Sequence, residues 1–510
     1  METRLTDVLV VGSGFGAAPP ALRLAEAGLR VVVLEKGPDI DAPGDFRQTQ
    51  DPGYFLRYYH GSAGDHLGMT WIEGLGGGSG FYEMVSLRAP SPAFEARDGN
   101  GRRLWPSGVD RATLDPYYEI AERMLNVQQI PVERVPRSGL VFSRMMKNLG
   151  YSCDRAAYAV RGCRGSGFCV SGCIYGAKQS LHMNYIPRAR EAGAEYRTGV
   201  EATSVRALGP DERPARYEVT CRDAGGRVHA YRAAVVVLAG GTVGTARLLL
   251  ASRRGLRHLS GEVGRRVAFN GGVKTAGRLG PGWPDGDMFT GQSHPGMISY
   301  HFLESHGVTI QAAKPLPLQA IAAARLRFDE NGPGSRYWGE PHLRLMRKYR
   351  RRVIVLFALG LTPATARLER DGDDLKPRLE MTDELREYYG RTKELLHAIY
   401  RGNGCRPLDV EFVDSGGMAR DDVFFSTTHQ LGSCPMSESA ESGVVDAAGA
   451  VHGHPGLYVS DGAALPGSIA VSTSLTILAN AERIAEGLVR RYAGGAASAA
   501  EPDASSRAAA

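Results

Sequence analysis

The feature that most constrains the fold is the stretch DVLVVGSGFGAAPPALRLAEAGLRVVVLEKG, residues 7–37. A run rich in β-branched residues leads into a glycine-rich turn, a segment with apolar residues at helical spacing follows, and a second apolar run ends at Leu34. Continuous apolar runs without alternation are typical of strands that are buried on both faces, as in a parallel sheet. The stretch therefore predicts a βαβ unit and an α/β fold of Rossmann-like type.

The turn of this unit carries the spacing G-x-G-x-x-A, with one additional glycine. Such glycines allow a tight turn and a close approach of the backbone to a pyrophosphate, and the small third residue lets the helix pack on the sheet. An acid at the end of the second strand accepts hydrogen bonds from ribose hydroxyls. The unit therefore predicts a dinucleotide site, without distinguishing NAD from FAD. The residues that we expect around the dinucleotide are Gly12, Gly14, Phe15, Gly16, Ala17, Glu35 and Lys36.

Two consecutive prolines, Pro19 and Pro20, fall within the first turns of the predicted helix. A proline has no backbone N–H, and inside a helix it removes a hydrogen bond. We therefore expect this helix to begin late or to bend at the prolines.

The rest of the chain divides into segments of different pattern. Residues 195–239 alternate apolar and polar residues and close on the apolar run AVVVLAGG, as expected of strands. Residues 474–493 have the periodicity of an amphipathic helix, and the last residues are of low complexity. The predicted boundaries are 1–85, 195–270 and 425–495 for a discontinuous nucleotide-binding domain, 86–194 for a linking segment, 271–424 for a substrate-binding domain and 494–510 for a disordered tail.

Charge and hydropathy exclude several classes of partner. The net charge of +6 comes from 61 basic and 55 acidic residues that are scattered along the chain, so we expect no nucleic acid partner. The N-terminus lacks the basic and apolar regions of a secretory signal, and the apolar run at 353–361 is too short to span a membrane. We expect a cytoplasmic protein without a membrane span.

A second pattern is spread over almost the whole chain. It consists of VVGSGFGA with LEKG, GLGGGSGF at 74–81, WPSG before DPYYEIAE, VVVLAGGTVGTARLLLAS at 235–252, HQLGSCPM at 429–436, GVVDAAGAVHGHPGLYVSDGAALPGS at 443–468, and the final helix. In this order the stretches resemble the glucose-methanol-choline (GMC) oxidoreductases, flavoenzymes that oxidise alcohols. The resemblance implies an FAD-binding domain that is split in sequence, with a sheet-based substrate domain inserted between its parts.

The resemblance also assigns roles to individual residues. The glycine loop at 76–79 would pass close to the pyrophosphate and the flavin, where only glycine lets the backbone in; the alternative is that it is only a flexible loop. The loop contains no histidine, which implies that FAD is bound noncovalently. The residues that the resemblance adds to the FAD site are Gly76, Gly77, Gly78, Ser79, Gly240, Asp461 and Gly462.

His429 matches the position of the family's catalytic histidine. Oxidation of an alcohol moves a hydride to flavin N5 while the hydroxyl loses a proton, and a neutral imidazole can accept that proton. The family's second residue, usually Asn or His, corresponds to Ser472 and Thr473. Hydroxyl groups form hydrogen bonds but are not bases near neutral pH, so these two residues are expected to position the substrate. The alternative is that they only cap the helix that follows.

Three of the seven cysteines lie close together in CRGSGFCVSGCIYGAK, as Cys163, Cys169 and Cys173. The spacing resembles the segment that holds a three-iron four-sulfur cluster in some FAD-dependent glucose dehydrogenases of this family, where the cluster would pass electrons to an external acceptor. Buried structural thiols or a disulfide would give the same pattern. Zinc is a third interpretation, with His182 as the nearby candidate for a fourth ligand.

The predicted function is an FAD-dependent alcohol dehydrogenase or oxidase that gives an aldehyde or ketone, with oxygen or an external carrier as electron acceptor. Resemblance to bacterial biosynthetic members favours a small-molecule substrate, a hydroxymethyl group on a sugar or aminoglycoside, as in antibiotic biosynthesis. A NAD-dependent two-domain dehydrogenase is an alternative, but it does not explain the ordered stretches after residue 235. A noncatalytic flavin-fold protein is another, supported only by the missing Asn or His near Ser472.

Overall fold

The computed structural model describes residues 2–49, 51–314, 340, 344, 347, 350–372, 374–408 and 423–493. The predicted tail at 494–510 lies outside the described residues, and the predicted substrate-binding domain at 271–424 is described in part. The chain alternates strands and helices through its first half and returns to both near its end.

The strands are numbered in chain order. They are β1 Thr3–Val11, β2 Val31–Leu34, β3 Tyr59–Ala63, β4 Leu67–Ile72, β5 Val127–Gln129, β6 Asp154–Arg155, β7 Ala157–Ala159, β8 Glu195–Arg197, β9 Val200–Ala207, β10 Tyr217–Asp223, β11 Val228–Leu238, β12 Val273–Arg278, β13 Met297–Ser299, β14 Val308–Ala313, β15 Val353–Gly360, β16 Ala366–Asp371, β17 Asp374–Leu379, β18 Arg406–Leu408, β19 Phe425–Thr427 and β20 Leu457–Val459.

The helices are numbered in the same way. They are α1 Ala18–Glu26, α2 Pro52–Leu56, α3 Ser91–Phe94, α4 Arg111–Met124, α5 Arg137–Asn148, α6 Tyr185–Glu191, α7 Gly241–Ala251, α8 Leu303–His306, α9 Asp383–Gly402 and α10 Ser474–Tyr492.

The first sheet is built on a parallel core, with strands in the order β8-β2-β1-β11-β10-β9 and β20 also paired with β11. In the central strand β1, Val8 pairs with both Val31 of β2 and Val235 of β11, each in parallel. The apolar runs of β2 and the end of β11 are fully buried, which explains why neither alternates with polar residues. The predicted α/β fold is therefore present.

Helix α1 begins at Ala18, before both prolines, so the expected late start is wrong. Pro19 and Pro20 are the second and third residues of the helix. Backbone N–H groups in the first turn have no partner within the helix, so prolines there remove no hydrogen bond. Helix α1 can therefore start directly after the glycine loop and direct its N-terminus toward that loop.

Helix α10 joins the end of the chain to its beginning by packing against α1 and α4. The buried carboxylate of Glu482 accepts hydrogen bonds from the Arg23 guanidinium, with both N–O distances 2.9 Å, and from the Tyr185 hydroxyl at 2.7 Å. A buried carboxylate needs such partners, because an unpaired charge in the interior is strongly destabilising. These bonds fix α1, α6 and α10 relative to one another behind the first sheet.

The second sheet has six strands in the order β18-β12-β15-β14-β13-β6, all antiparallel. Helix α9 packs on it where β12 carries a glycine, since a Cβ at Gly277 would lie 2.3 Å from the Tyr400 ring. The Tyr400 hydroxyl donates to the Thr275 carbonyl at 2.9 Å. One strand, β6, comes from the segment predicted to be a linker. The domain boundaries stay a prediction.

A small third sheet, in the order β19-β4-β3, carries the chain toward His429. β19 is parallel to β4, with Ser426 paired to Gly68. The remaining pairs are β5 with β7 and β16 with β17. Among the described helices, none combines the length and the apolar composition needed to cross a bilayer.

Candidate active site

A cavity of about 1470 Å³ is lined by residues of the first, second and third sheets. Ligand pockets are ordinarily about 300–1,000 Å³, so this volume has room for a large cofactor together with a substrate. Most of the residues predicted from the sequence line it. They are Gly12, Gly14, Phe15, Gly16, Glu35, Lys36, Gly77, Gly78, Gly240, His429, Asp461, Gly462, Ser472 and Thr473.

Three of the residues predicted for the FAD site do not line the cavity and support it from behind. Ala17 is the buried residue that precedes α1. Ser79 donates its hydroxyl to the Gly76 carbonyl at 2.7 Å and accepts from the Leu181 N–H at 3.2 Å, which closes the turn of the second glycine loop. At Gly76 a Cβ would lie 2.5 Å from the His182 ring, so only glycine fits there.

The two glycine loops approach each other closely. A Cβ at Gly77 would lie 3.0 Å from the Cα of Gly14, and the backbone at Gly77 has a φ of +51°. A Cβ at Gly12 would lie 2.1 Å from the Ala239 carbonyl oxygen. Side chains at these positions would separate the loops from each other and from β11. The glycines therefore form a narrow backbone-lined part of the cavity.

Ser13 connects the first glycine loop to the acid at the end of β2. Its hydroxyl donates to Glu35 Oε2 at 2.6 Å and accepts the Gly76 N–H at 2.9 Å. The Gly37 N–H donates to Glu35 Oε1 at 2.8 Å. Burial raises the pKa of the Glu35 carboxyl, and the bond from Ser13 opposes that rise. The Gly74 N–H also bonds this carboxylate, which has about four lone-pair sites in all and therefore keeps one for a ligand hydroxyl.

Asp461 binds the N-termini of two helical segments. Its Oδ2 accepts from the Gly241 N–H at 2.7 Å and from the Thr245 hydroxyl at 2.6 Å, both in α7. Its Oδ1 accepts from the Ala463 N–H at 2.9 Å in the short turn that follows. Burial raises the pKa of Asp461 to about 6 even with these donors. Asp461 therefore fixes the floor of the cavity at the carboxyl end of β20.

His429 follows β19 and lies half-buried on the cavity wall. Its backbone N–H donates to the Thr427 hydroxyl at 2.9 Å, and that hydroxyl donates to the Phe269 carbonyl at 3.0 Å. Burial and then the charge of Lys274 lower the pKa of His429 to about 4. The imidazole is therefore neutral near pH 7 and has a nitrogen lone pair with which to accept a proton.

Ser472 and Thr473 line the same cavity just before α10. Thr473 is the residue that precedes the helix, but its side chain makes no capping hydrogen bond. The segment leading to them is fixed by Asn270, whose Oδ1 accepts the Ile469 N–H at 2.7 Å and whose Nδ2 donates to the Val471 carbonyl at 2.8 Å. Because its side chain makes no such bond, Thr473 does not cap α10.

Family comparison identifies this arrangement. Two models described as GMC oxidoreductase match residues 27–269 and 366–481, and a model described as FAD binding domain matches residues 7–46. The chain belongs to the GMC oxidoreductase family. It is an FAD-dependent oxidoreductase that acts on CH–OH groups, as predicted, and the predicted fold class is confirmed with it.

The relatives of this GMC oxidoreductase include an uncharacterized protein and oxidases that are named for chemically different substrates. The chain is 27% identical to an uncharacterized GMC-type oxidoreductase of Mycobacterium tuberculosis, over 96% of this chain and 76% of the relative. It is also 27% identical to paromamine 6'-oxidase of Streptomyces fradiae, over 95% and 91% of the two chains. Cholesterol oxidase of Mycobacterium tuberculosis is again 27% identical, over 94% and 90%.

Solved structures share the fold at low identity. Pyridoxine 4-oxidase from Mesorbium loti superposes with a TM-score of 0.67 at 16% identity, over 96% of this chain and 99% of that one. A variant of formate oxidase from Aspergillus oryzae superposes with a TM-score of 0.67 at 13% identity, over the same shares. These similarities show that the GMC fold extends over almost the whole chain.

The residues of the cavity fit FAD. Gly78 lines the cavity, and a Cβ built there would meet no atom within 4 Å, so the loop leaves open space beside it. Gln430 also lines the cavity, and its buried Oε1 has no hydrogen-bond partner among the described residues. A buried acceptor without a partner costs about 1–3 kcal/mol, which a ligand hydroxyl would recover. Together with Glu35 and the glycine loops, these features suit a dinucleotide that carries a polar ribityl chain.

The three clustered cysteines line a separate cavity of only about 20 Å³ beside Lys178. That space holds about one water molecule, far less than a cluster of seven atoms needs. All three thiols are free, and burial raises the pKa of Cys169, so its reactive thiolate form is disfavoured. In the described residues no group of three or more His, Cys, Asp and Glu is arranged to hold a metal ion. The structure gives no support to an iron–sulfur cluster.

The zinc interpretation lacks its fourth ligand. His182 is absent from the wall of the cysteine cavity and packs instead against Gly76 and the Phe46 ring, 6.0 Å between ring centroids. Burial lowers the pKa of His182 to about 4. The histidine therefore supports the second glycine loop.

Several residues of the cavity were not found from the sequence. Lys274, Gln311 and Glu83 line it, and Asn270 holds one of its loops. Lys274 and Gln311 lie on strands of the second sheet, where the facing of a side chain depends on register. Only Glu83 had a signal, since it follows the second glycine loop by a few residues.

Proposed function

We propose that the protein oxidises an alcohol to an aldehyde or ketone and that His429 takes the proton of the substrate hydroxyl. The observation that carries the proposal is the neutral imidazole of His429 on the wall of the cavity that the FAD-binding loops also line. When bound, FAD supplies the acceptor, flavin N5, for the hydride that leaves the carbinol carbon. Loss of the hydroxyl proton and of this hydride leaves the carbonyl product.

The chain's own residues hold the substrate and move the proton. The Thr427 hydroxyl accepts the backbone N–H of His429 and so fixes the chain at the point where His429 lines the cavity. Ser472 and Thr473 are proposed to hold the substrate oxygen by hydrogen bonds, since hydroxyls both donate and accept. With a pKa of about 4, the imidazole of His429 is unprotonated near neutral pH and can accept the proton, although its affinity for the proton is modest.

The substrate that we propose is a hydroxymethyl group of a sugar or aminoglycoside, as in antibiotic biosynthesis. The similarity to paromamine 6'-oxidase supports it, but cholesterol oxidase is equally similar by identity. Noncovalent binding of FAD is proposed because the loop at 76–79 has no histidine. Oxygen is the proposed electron acceptor in preference to an external carrier, because paromamine 6'-oxidase and cholesterol oxidase are oxidases by name.

Anaerobic reduction of bound FAD by alcohols tests the proposal. We expect His429→Asn to retain FAD and to reduce it at least about 100-fold more slowly, the scale on which a lost general base acts. The matched control is His258→Asn, because His258 is exposed and its φ of +63° suits asparagine. Unchanged reduction in His429→Asn would contradict the proposal.

The role of Cys163, Cys169 and Cys173 is decided by a separate measurement. Iron and acid-labile sulfide are measured on protein that is purified without oxygen. About three irons per chain would establish the cluster and an external electron carrier. FAD without iron would leave the cysteines as structural thiols, in agreement with the small cavity beside Lys178.

A further inference from the structure

Three buried side chains form a hydrogen-bonded chain that ends at the cavity. The Tyr158 hydroxyl lies 2.5 Å from Nδ1 of His294, and Nε2 of His294 lies 2.7 Å from Oε1 of Gln311. The exposed fractions of the three residues are 0%, 4% and 4%. Tyr158 lies behind the cavity wall, whereas His294 and Gln311 line it. The chain therefore runs from the interior toward bound ligands.

Backbone geometry fixes the direction of these bonds. The Gly296 N–H donates to His294 Nδ1 at 3.2 Å, and an N–H can only donate. Nδ1 must therefore be the unprotonated nitrogen, which accepts from Gly296 and from the Tyr158 hydroxyl. The ring proton is on Nε2 and is donated to Gln311 Oε1. Burial lowers the pKa of His294, which keeps the ring in this neutral form.

The carboxamide of Gln311 is oriented as a consequence. Its oxygen is occupied by His294, so the NH₂ group takes the other position. None of the described residues accepts a hydrogen bond from that NH₂ group. The NH₂ group is left facing the cavity, and an apolar ligand that excluded water from it would leave the donor without a partner, at a cost of about 1–3 kcal/mol.

Two charged side chains, Glu83 and Lys274, also line the cavity. Glu83 lines the cavity, and within the described residues it has no ion pair or hydrogen-bond donor. Lys274 lies over the Phe357 ring at 4.7 Å, and burial lowers the pKa of Lys274 against the smaller opposing effect of the charge of Glu83, which raises it. The wall thus offers donors and an acceptor together, which is what a molecule with several hydroxyl groups requires.

We infer that Gln311, held by Tyr158 and His294, is a specificity-determining residue that donates a hydrogen bond to an oxygen of a hydroxyl-rich substrate away from the reacting carbon. This inference rests on the proposed alcohol oxidation. A sterol or a long-chain alcohol that filled the cavity would exclude water from the Gln311 amide and the Glu83 carboxylate without offering them hydrogen bonds, and sites that desolvate polar groups in this way reject such ligands strongly. The inference therefore favours a sugar-like alcohol over apolar ones.

The experiment compares methyl α-D-glucopyranoside and D-glucosamine with 1-octanol in steady-state turnover, in which an added electron acceptor reoxidises the reduced FAD. For the wild type we expect a higher kcat/KM with at least one sugar. Gln311→Leu is expected to lower the ratio of sugar to octanol by about 10- to 100-fold, mainly through KM, as a lost hydrogen bond to a buried group does. Tyr158→Phe is expected to lower it less, because Gly296 still fixes the tautomer.

A binding measurement gives a readout that needs no turnover. The change in the flavin absorption spectrum on titration with methyl α-D-glucopyranoside gives a Kd, which we expect to rise about 10-fold in Gln311→Leu. Gln129→Leu is the matched control, since Gln129 is exposed and does not line the cavity. Gln311→Met, which is closer in length, replaces Gln311→Leu if the latter does not fold.

The outcomes separate this inference from the proposed function. A wild-type preference for 1-octanol, failure of both sugars to bind, or an unchanged ratio in Gln311→Leu would overturn the inference, while reduction of FAD by any alcohol would leave the proposed function standing. Absence of reduction by every alcohol, with FAD bound, would contradict the proposed function itself. A selective loss of sugar binding in Gln311→Leu supports the inference.

Discussion

A Cβ atom at Gly16 would lie 2.5 Å from the Cα of Asp461, so two segments from opposite ends of the chain touch backbone to backbone. The same contact includes the Ser460 hydroxyl, which donates to the Gly16 carbonyl at 2.7 Å. Gly16 stands in the loop before α1, and Asp461 binds the N-terminus of α7. The two segments can form this side of the FAD site only because residue 16 is a glycine.

Gly16→Ala is expected to separate these segments and to weaken FAD binding. Backbone atoms cannot move aside as a flexible side chain can, so the added methyl group should lower the free energy of unfolding by about 1–3 kcal/mol. FAD content after gel filtration and urea unfolding measure the two effects. Gly487→Ala is the control, because this glycine of α10 has open space around it, and there alanine should add about 0.5–1 kcal/mol. Full retention of FAD in Gly16→Ala would contradict the argument.

Short-range patterns predicted one half of the site and missed the other. The first glycine loop and Glu35 follow from a turn between a strand and a helix, whose spacing is local in sequence, whereas the loop at 76–79 is assigned by family resemblance. Gln311 and Lys274 come from separate strands of the second sheet, and the strand register that turns them toward the cavity depends on tertiary pairing. The prediction of a late helix start was wrong because Pro20 removes a hydrogen bond only if it lies beyond the first turn, and this depends on the residue at which the helix begins.

Asn270 is expected to be necessary for activity although it does not line the cavity. Its side chain accepts the N–H groups of Ile469 and Ala470 at 2.7 and 3.2 Å and donates to the Val471 carbonyl at 2.8 Å. Asn270→Ala leaves these buried groups unpaired and should cost about 3 kcal/mol of stability. It should also displace Ser472 and slow the reduction of FAD, which stopped-flow absorbance measures.

The matched variant Asn270→Asp keeps the acceptor oxygen for Ile469 and Ala470, loses the donor to Val471 and adds a carboxyl group to a fully buried site. We expect its stability and its rate of FAD reduction to lie between those of the wild type and Asn270→Ala. Equal rates in all three proteins would show that the segment before Ser472 does not depend on Asn270.

Glu482→Gln is expected to lower stability by about 2 kcal/mol, measured by urea unfolding. The substitution removes the negative charge that pairs with Arg23, and breaking a buried pair costs up to about 3–5 kcal/mol. A smaller value is expected here because the Arg23 side chain is 26% exposed. Glu26→Gln removes the other carboxylate that contacts Arg23, at 2.9 Å, but this partner is 45% exposed and should contribute less than about 0.5 kcal/mol. Equal effects of the two substitutions would contradict this difference in burial.

Lys274→Met is expected to move the acid limb of the pH–activity profile to higher pH. After burial, the charge of Lys274 is the cause that lowers the pKa of His429 to about 4, so its removal raises that pKa toward the ordinary value of 6.5. His429 accepts a proton only in its neutral form, and activity falls as the pH drops through its pKa. The fall therefore begins near pH 4 in the wild type and at higher pH in the variant, as kcat/KM against pH would show. Lys274→Arg keeps the positive charge and should keep the wild-type limb. A shift of the limb in Lys274→Arg as large as in Lys274→Met would mean that the shape of the side chain, rather than its charge, sets the pKa of the base.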